Sequence, residues 1–179
     1  VPRRFVFPVT SKGVASELYK DRLNAIRHFS RSADFDLFGR GWSDTSTLSR
    51  DEARAVARSY RGEVPPFEKV STLSNYRFAL CFENTAFPGY VTEKIFDCFV
   101  AGCIPIYLGS PDIKDLVPAG SFIDARDFRD FAGLESFIRT LKPEVAREYV
   151  VAAADFMSSK SAEIFSQDHL VRVMADVLL

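Results

Sequence analysis

The polar residues that could do chemistry are concentrated in one stretch of the chain, from Glu83 to Ser110. They are Glu83, Asn84, Tyr90, Thr92, Glu93, Lys94 and Ser110, the last preceded by Gly109. The residues around Lys94 predict a helix that begins at Glu93, which would put a cation at the unfavourable positive end of the helix dipole. An anionic ligand shared by Lys94 and the helix N-terminus would remove this conflict. Pairing of Lys94 with Glu93 or Asp97 on a solvated face also accounts for the charge pattern, so both interpretations stay open.

A strand, a helix and a second strand are predicted to position these residues. The segment from Tyr76 to Phe82 is almost continuously apolar, which is typical of a strand buried on both faces of a parallel sheet. Thr92 is a suitable N-cap for a helix from Glu93 to Ala101 that ends at Gly102, and the segment from Ile104 to Leu108 forms the second strand. Such a βαβ unit has parallel strands and a right-handed crossover. Ligands of open α/β sheets bind beyond the carboxyl ends of the strands, so the polar residues should gather at that edge.

An arginine on an apolar helix face is a second indication of an anion site. At about 100° per residue, the helix predicted from Val14 to Ser30 places Arg22 in the same arc as Leu18, Ile26 and Phe29. A buried guanidinium needs a carboxylate, carbonyl groups or an anionic ligand as its partner. The long side chain can also extend to the domain edge and keep its charge in water. The helical pattern alone does not choose between these possibilities.

The chain resembles the α-1,3/α-1,4-fucosyltransferases in several specific strings. These are Phe82-Glu83-Asn84-Thr85, Tyr90-Val91-Thr92-Glu93-Lys94-Ile95, Ala101-Gly102 and Ile104-Pro105-Ile106. The resemblance continues through Ser121-Phe122-Ile123-Asp124 and Asp127-Phe128, and more weakly back to Arg22 and forward to about Leu141. It therefore covers most of the chain and is weakest over the last forty or so residues.

The resemblance implies a fold, a reaction and a set of site residues. The fold is α/β, a Rossmann-like parallel sheet flanked by helices, which forms the C-terminal half of a GT-B-type glycosyltransferase. The reaction transfers L-fucose from GDP-fucose to a hydroxyl of N-acetylglucosamine or glucose in a glycan, in α-1,3 linkage with inversion. The implied donor-binding residues are Arg22, Glu83, Asn84, Tyr90, Thr92, Glu93 and Lys94. Among them Arg22 and Lys94 would stabilise the departing GDP, and no metal or other cofactor is expected.

The resemblance also implies that a catalytic group lies elsewhere. Inverting transfer needs a general base for the acceptor hydroxyl, and in these enzymes a carboxylate of the N-terminal, acceptor-binding half serves this role. We therefore expect residues 1–179 to be a single donor-nucleotide-binding domain without the base. Its expected partners are GDP-fucose, the glycan acceptor and the N-terminal domain. Alone, it should bind GDP or GDP-fucose and transfer little fucose.

Length and composition limit the fold, partners and compartments that this chain can have. A chain of 179 residues with 47% apolar content can bury one core. A net charge of −1 gives no reason to expect nucleic acid as a partner. Cys81, Cys98 and Cys103 fall in apolar segments and predict small core side chains without metal-binding spacing. No run predicts a transmembrane helix or a signal peptide. The compartment stays open: bacterial relatives act at the cytoplasmic side of the membrane, and animal and plant relatives act in the Golgi lumen.

Other nucleotide-binding interpretations find less support. Neither the dinucleotide-binding glycine pattern nor a P-loop occurs. Asp34 and Asp36 form a D-x-D pattern that could hold a divalent metal, but two aspartates at this spacing are common and we favour an ordinary structural role. Two alternatives to fucosyl transfer remain: a non-catalytic nucleotide-sugar-binding module, and a GT-B transferase that uses another nucleotide sugar.

The remaining predicted elements are strands at Arg4–Val9, Asp34–Gly39 and Ser121–Asp124 and helices at Asp51–Tyr60, Phe67–Asn75, Phe131–Leu141, Pro143–Met157 and Ser161–Leu179.

Overall fold

The chain forms a five-stranded parallel sheet. The computed structural model describes residues 4–7, 18–46 and 48–178. The strands are β1 (Arg4–Phe7), β2 (Phe35–Leu37), β3 (Tyr76–Phe82), β4 (Ile104–Leu108) and β5 (Ile123–Asp124), in the order β2-β1-β3-β4-β5. Every neighbouring pair is parallel. The carboxyl ends of the strands therefore lie along one edge, and the connections return over the faces of the sheet.

Helices cover both faces of the sheet. They are α1 (Tyr19–Phe29), α2 (Arg50–Ser59), α3 (Lys69–Leu73), α4 (Glu93–Ala101), α5 (Ile113–Leu116), α6 (Phe131–Thr140), α7 (Pro143–Met157) and α8 (Gln167–Leu178). Short 3-10 turns occur at Pro66–Glu68, Ala119–Ser121, Ala125–Asp127 and Lys160–Phe165. None of the helices described is both long enough and apolar enough to cross a membrane.

The central strand β3 is buried on both faces, as its apolar run predicts. Phe78, Leu80 and Phe82 belong to one core cluster, whereas Ala79 and Cys81 belong to the cluster on the other side. This alternation follows from the two-residue period of a strand. The second cluster also contains the two other cysteines, Cys98 and Cys103, so all three thiols are buried core side chains, as predicted.

The predicted βαβ unit agrees with β3, α4 and β4 at every boundary. Gly102 follows α4 with φ 66°, a left-handed conformation that glycine adopts without steric cost. Thr92 occupies the N-cap position, but its side chain does not cap the helix. Its hydroxyl instead donates to the Glu83 carboxylate, at 2.9 Å from Oε1 and 2.8 Å from Oε2. Thr92 thus links α4 to the end of β3.

Other predicted boundaries differ from the structure. The last helix begins at Gln167 and not at Ser161, because Ser166 is extended and its Oγ accepts a hydrogen bond from the His169 backbone N–H at 3.1 Å. Strand β2 ends before the predicted Gly39, whose φ of 139° is not strand geometry. The predicted start of α1 at Val14 and the predicted end of β1 at Val9 both lie outside the described residues.

Smaller deviations occur in four further elements. The segment predicted as one helix from Phe67 to Asn75 consists of a 3-10 turn followed by α3. The strand predicted to begin at Ser121 begins at Ile123, because a 3-10 turn includes Ser121. Helices α2 and α6 agree with their predictions to within one residue at each end, and α7 agrees at both ends.

Candidate functional site

Helix α1 delivers Arg22 to the carboxyl end of β3. Arg22 is only 5% exposed, on the helix face that also buries Ile26 and Phe29. Its Nη2 donates to the carbonyl oxygens of Phe82 at 3.2 Å and Glu83 at 2.8 Å. Burial lowers the pKa of the Arg22 guanidinium below its ordinary value, although the neighbouring Glu83 carboxylate opposes this shift. The group nevertheless stays charged, because arginine does not lose its proton in proteins.

The Arg22 contact also fixes the orientation of Asn84. Arg22 Nη2 lies 2.7 Å from Asn84 Oδ1. Since a guanidinium has no acceptor, Asn84 must present its amide oxygen to Arg22, and its NH2 group points the other way. The backbone of Asn84 is held as well, because its carbonyl accepts the N–H of Leu18 at 3.2 Å. Asn84 therefore offers two N–H donors at the sheet edge.

A buried ion pair joins β3 to the first turn of α4. The Glu83 side chain is fully buried, and its Oε2 lies 2.8 Å from Lys94 Nζ. Glu83 Oε1 accepts the backbone N–H of Thr92 at 2.8 Å. Lys94 Nζ also donates to Thr92 Oγ1 at 2.9 Å, and its side chain is 17% exposed. The cation that the helix dipole disfavours is therefore neutralised by Glu83, a partner that neither sequence interpretation of Lys94 had named.

Gly109 allows the Glu83 side chain to lie against Tyr107. A Cβ atom at position 109 would come within 2.5 Å of both Glu83 Cγ and the Tyr107 hydroxyl oxygen. The Tyr107 hydroxyl accepts the backbone N–H of Ser110 at 3.1 Å. Burial raises the pKa of Tyr107 well above its ordinary value, so its hydroxyl stays neutral. The end of β4 is thereby packed against the Glu83 side chain.

The loop between β3 and α4 is tied to the loop after β4. Asp112 accepts the backbone N–H of Gly89 at 3.0 Å and is hydrogen-bonded to the Ser110 hydroxyl. The Ser110 hydroxyl also lies 3.1 Å from the Phe87 carbonyl oxygen. The bonds from Gly89 and Ser110 lower the pKa of Asp112. Tyr90, in the same loop, is partly buried, and its carbonyl lies 3.5 Å from the Tyr107 hydroxyl.

Glu93 lies beside the central pair and is held by a lysine from α3. Lys69 Nζ lies 2.7 Å from Asp97 Oδ2 and 3.6 Å from Glu93 Oε1. Burial alone would raise the pKa of Glu93, but the charges of Lys94 and Lys69 outweigh it, and the pKa is lowered. The Glu93 side chain is 65% exposed, so it is an ionised acceptor at the surface.

The structure thus brings five of the seven predicted donor-binding residues into one hydrogen-bonded network. These five are Arg22, Glu83, Asn84, Thr92 and Lys94. Glu93 and Tyr90 flank the network: Glu93 lies 3.6 Å from Lys69, and the Tyr90 carbonyl lies 3.5 Å from the Tyr107 hydroxyl. Within this network Glu83 faces inward and is fully buried, so its assignment to donor binding stays a prediction.

Sequence reasoning did not identify Tyr107, Asp112 or Lys69 as parts of this region. Asp112 follows a Gly-Ser-Pro turn, and Tyr107 is the one polar-tipped residue in an otherwise apolar strand; both were available as weak signals. Lys69 carries no such signal, because its partners Glu93 and Asp97 are far along the chain and meet it only through the packing of α3 on α4.

The two aspartates of the D-x-D pattern have separate structural partners. Asp36 is buried, pairs with Arg61 at 2.7 Å and accepts the Tyr76 hydroxyl at 2.9 Å. Asp34 is exposed and lies 3.2 Å from Arg139. In the part of the chain that the structure describes, no group of three or more His, Cys, Asp or Glu residues is arranged to hold a metal ion.

The helix-flanked parallel sheet is shared with solved glycosyltransferases of the GT-B class, to which the fold of this chain belongs. The profile of the family described as Glycosyltransferase family 10 (fucosyltransferase) C-term matches residues 6–151, and the chain belongs to this family. The predicted fold and family are therefore confirmed.

Similar proteins come from bacteria and plants. An alpha-(1,3)-fucosyltransferase of Helicobacter pylori is 50% identical over 70 residues, which is 38% of this chain and 14% of that protein. An alpha-(1,4)-fucosyltransferase of Arabidopsis thaliana is 41% identical over 69 residues, which is 38% of this chain and 17% of that protein. The crystal structure of an alpha1,3-fucosyltransferase with GDP-fucose superimposes with a TM-score of 0.60 at 29% identity. The match covers 83% of this chain but only 38% of that one, so the chain corresponds to well under half of these relatives.

Proposed function

We propose that this chain is the donor-binding part of a fucosyltransferase. The complete enzyme transfers L-fucose from GDP-fucose to a hydroxyl of N-acetylglucosamine or glucose in a glycan, in α-1,3 linkage and with inversion. The observation that carries the proposal is the network that joins Arg22, Asn84 and Lys94 at the carboxyl end of β3 and the N-terminus of α4. The related crystal structure with GDP-fucose supports the same donor, and the relatives with α-1,3 names support the linkage.

The network has hydrogen-bond donors left for a diphosphate. Lys94 carries three N–H groups, and two of them are directed at Glu83 and Thr92, which leaves one. Asn84 directs its NH2 away from Arg22. The Nε of Arg22 is buried and has no hydrogen-bond partner among the described residues, so the guanidinium keeps an unpaired donor and its positive charge beside this edge. Together with the N-terminus of α4, these groups form a positive, donor-rich edge suited to an anion.

The chemistry follows from charge development in the transfer step. The bond between the fucosyl anomeric carbon and the β-phosphate oxygen breaks, and its electron pair leaves with GDP, which gains negative charge. Fixed cations at this position lower the energy of the transition state. The acceptor oxygen forms the new bond from the opposite face and gives its proton to a base. We assign that base to an acceptor-binding domain outside these 179 residues, and Glu93 to a hydroxyl of the ribose or the sugar.

Calorimetric titration with GDP tests the proposal, with UDP as the competing nucleotide. We expect selective binding of GDP by the 179-residue chain. Replacing Lys94 or Arg22 by alanine should weaken GDP binding by about 1.5 to 3 kcal/mol, roughly ten- to a hundredfold, because each loses a charge-assisted hydrogen bond.

Matched controls separate site effects from general charge effects. Arg31 lies beyond the far end of α1, and Lys142 follows Leu141, whose carbonyl accepts Arg77 near the amino end of β3. Both residues are exposed, so Arg31→Ala and Lys142→Ala remove the same charges away from the site. Both controls should bind GDP like the parent chain. Equal affinity for GDP and UDP, or GDP affinity that survives both site substitutions in folded protein, would contradict the proposed donor.

A further inference from the structure

The Glu83 carboxylate is the most enclosed charged group near the proposed donor site. Glu83 is the first residue after β3, and its exposure is 0%. Its backbone is held from two sides, because its N–H donates to the Leu108 carbonyl at 2.7 Å and its carbonyl accepts Arg22 Nη2 at 2.8 Å. The side chain therefore starts from a fixed point between β3, β4 and α1.

Both carboxylate oxygens are used by the first turn of α4 and the residue before it. Oε1 accepts the Thr92 N–H at 2.8 Å, and Oε2 accepts Lys94 Nζ at 2.8 Å. The Thr92 hydroxyl lies within 2.9 Å of Oε1 and 2.8 Å of Oε2. A ligand at the surface cannot reach a group that is fully buried and already surrounded by these donors. The role of Glu83 is therefore exerted through its neighbours.

Lys94 is the neighbour that most depends on this carboxylate. A lysine in the first helical turn faces the positive end of the dipole, so in isolation its ammonium would turn away from the helix end. The ammonium is instead held between Glu83 and Thr92, and the third N–H remains for a ligand. A flexible lysine loses rotamer entropy when it is immobilised by a ligand, and holding it in advance removes that cost from binding.

We propose that Glu83 is a positioning residue whose buried carboxylate holds the Lys94 ammonium and the start of α4 in place to receive the diphosphate of the donor. This inference rests on the proposed function and deepens it. The packing around Glu83 supports the assignment. Gly109 leaves room for the side chain, because a Cβ there would come within 2.5 Å of both Glu83 Cγ and the hydroxyl oxygen of the buried Tyr107.

The test is a comparison of ligands with and without the diphosphate. Glu83→Gln keeps the shape of the side chain but removes the negative charge that fixes Lys94. We expect GDP binding by Glu83→Gln, measured by calorimetry, to weaken about tenfold, as for loss of one charge-assisted hydrogen bond. Guanosine binding, followed by ligand-observed NMR, should stay within about twofold of the parent, because guanosine has no phosphate for Lys94 to contact.

A double-mutant cycle tests whether the two residues act as a unit. The matched substitution is Lys94→Met, which keeps the aliphatic stem and removes the charge. Glu83→Gln combined with Lys94→Met should bind GDP no more weakly than the weaker single variant, because the second change removes a contact that is already lost. Asp36→Asn is the control: it also neutralises a buried, ion-paired carboxylate, but on strand β2, and it should leave the GDP affinity unchanged.

Each result has a defined meaning. If folded Glu83→Gln binds GDP as tightly as the parent while Lys94→Met does not, the positioning role is wrong. Equal losses for GDP and guanosine would also overturn it, because they indicate general disruption of the site. If Glu83→Gln does not fold, Glu83→Asp decides by the same criteria, since it keeps the charge but withdraws it from Lys94. A parent chain that binds no GDP would refute the proposed function itself, and the positioning role with it.

Discussion

Replacing Gly109 by alanine should destabilise the fold through a single steric conflict. The added Cβ would lie 2.5 Å from Glu83 Cγ and 2.5 Å from the Tyr107 hydroxyl oxygen. Ordinary contact between such atoms is at about 3.5 to 4.0 Å, so each neighbour would have to retreat by about 1 Å or more. Neither can do so cheaply, because Glu83 and Tyr107 are both fully buried.

The expected magnitude is the balance of two effects. Overpacking in a close-packed interior costs about 1 to 3 kcal/mol. Gly109 does not have a left-handed φ, so alanine meets no backbone strain there and gains about 0.4 to 1 kcal/mol from the restricted unfolded chain. We therefore expect a net loss of about 1 to 2 kcal/mol in the free energy of unfolding.

Urea unfolding at equilibrium measures this loss. For a denaturant slope of about 2 kcal/mol/M, the midpoint should fall by about 0.5 to 1 M. Gly133→Ala is the matched control, because its Cβ would meet Asp130 Oδ1 at an ordinary 3.5 Å and alanine favours the interior of α6. Its midpoint should stay the same or rise. A Gly109→Ala midpoint equal to that of the parent would refute the packing argument around Glu83.

Two further predictions concern stability away from the site. Ser49→Ala removes the capping box that Ser49 forms with Glu52 at the start of α2, and it should lower the free energy of unfolding in urea by about 1 kcal/mol. Ser49→Thr should retain most of that stability, because threonine can also cap the helix. Equal losses for the two variants would contradict the capping role. Asp124→Asn addresses pH: burial alone would raise the pKa of Asp124, but its bonds to Arg126 outweigh this and the pKa is lowered. Because the folded pKa lies below the unfolded value of about 3.9, the carboxylate stabilises fully above that pH and less as the pH falls through the folded pKa. The difference in unfolding free energy between the parent and Asp124→Asn should therefore shrink below about pH 4, and a difference that does not change between pH 3 and 7 would contradict the assignment.

Local sequence signals were sufficient for the central βαβ unit. A continuous apolar run marks a strand buried on both faces, and a glycine that can adopt positive φ marks the end of a helix; β3 and Gly102 follow these rules. The prediction of the last helix was less accurate, because its apolar pattern continues through Lys160–Phe165, where the chain forms a 3-10 turn. The spacing of apolar residues alone does not distinguish an α-helix from a 3-10 helix over so short a segment.

The sequence predicted which residues belong to the site but not which hydrogen bonds and ion pairs they form. Arg22 and Lys94 were recognised as cations at unfavourable positions, and the strings that carry the family resemblance gave their grouping with Asn84. Their actual partners were not predictable from the sequence. Arg22 binds carbonyl oxygens and an amide oxygen that lie sixty or more residues away along the chain. Glu83 contacts Lys94 only because the end of β3 and the start of α4 lie at the same edge of the sheet.

The sequence by itself determined the family, the central strand–helix–strand unit and the residue types available at its ligand edge, because these depend on local pattern and on long specific strings. Only the tertiary structure decided how the charges are paired. Burial of a carboxylate depends on which groups surround it in space, and Glu83 became an internal partner of Lys94 because Gly109 leaves room for it beside Tyr107. Lys69 was likewise assigned to Glu93 and Asp97 by the packing of α3 on α4, which no local pattern encodes.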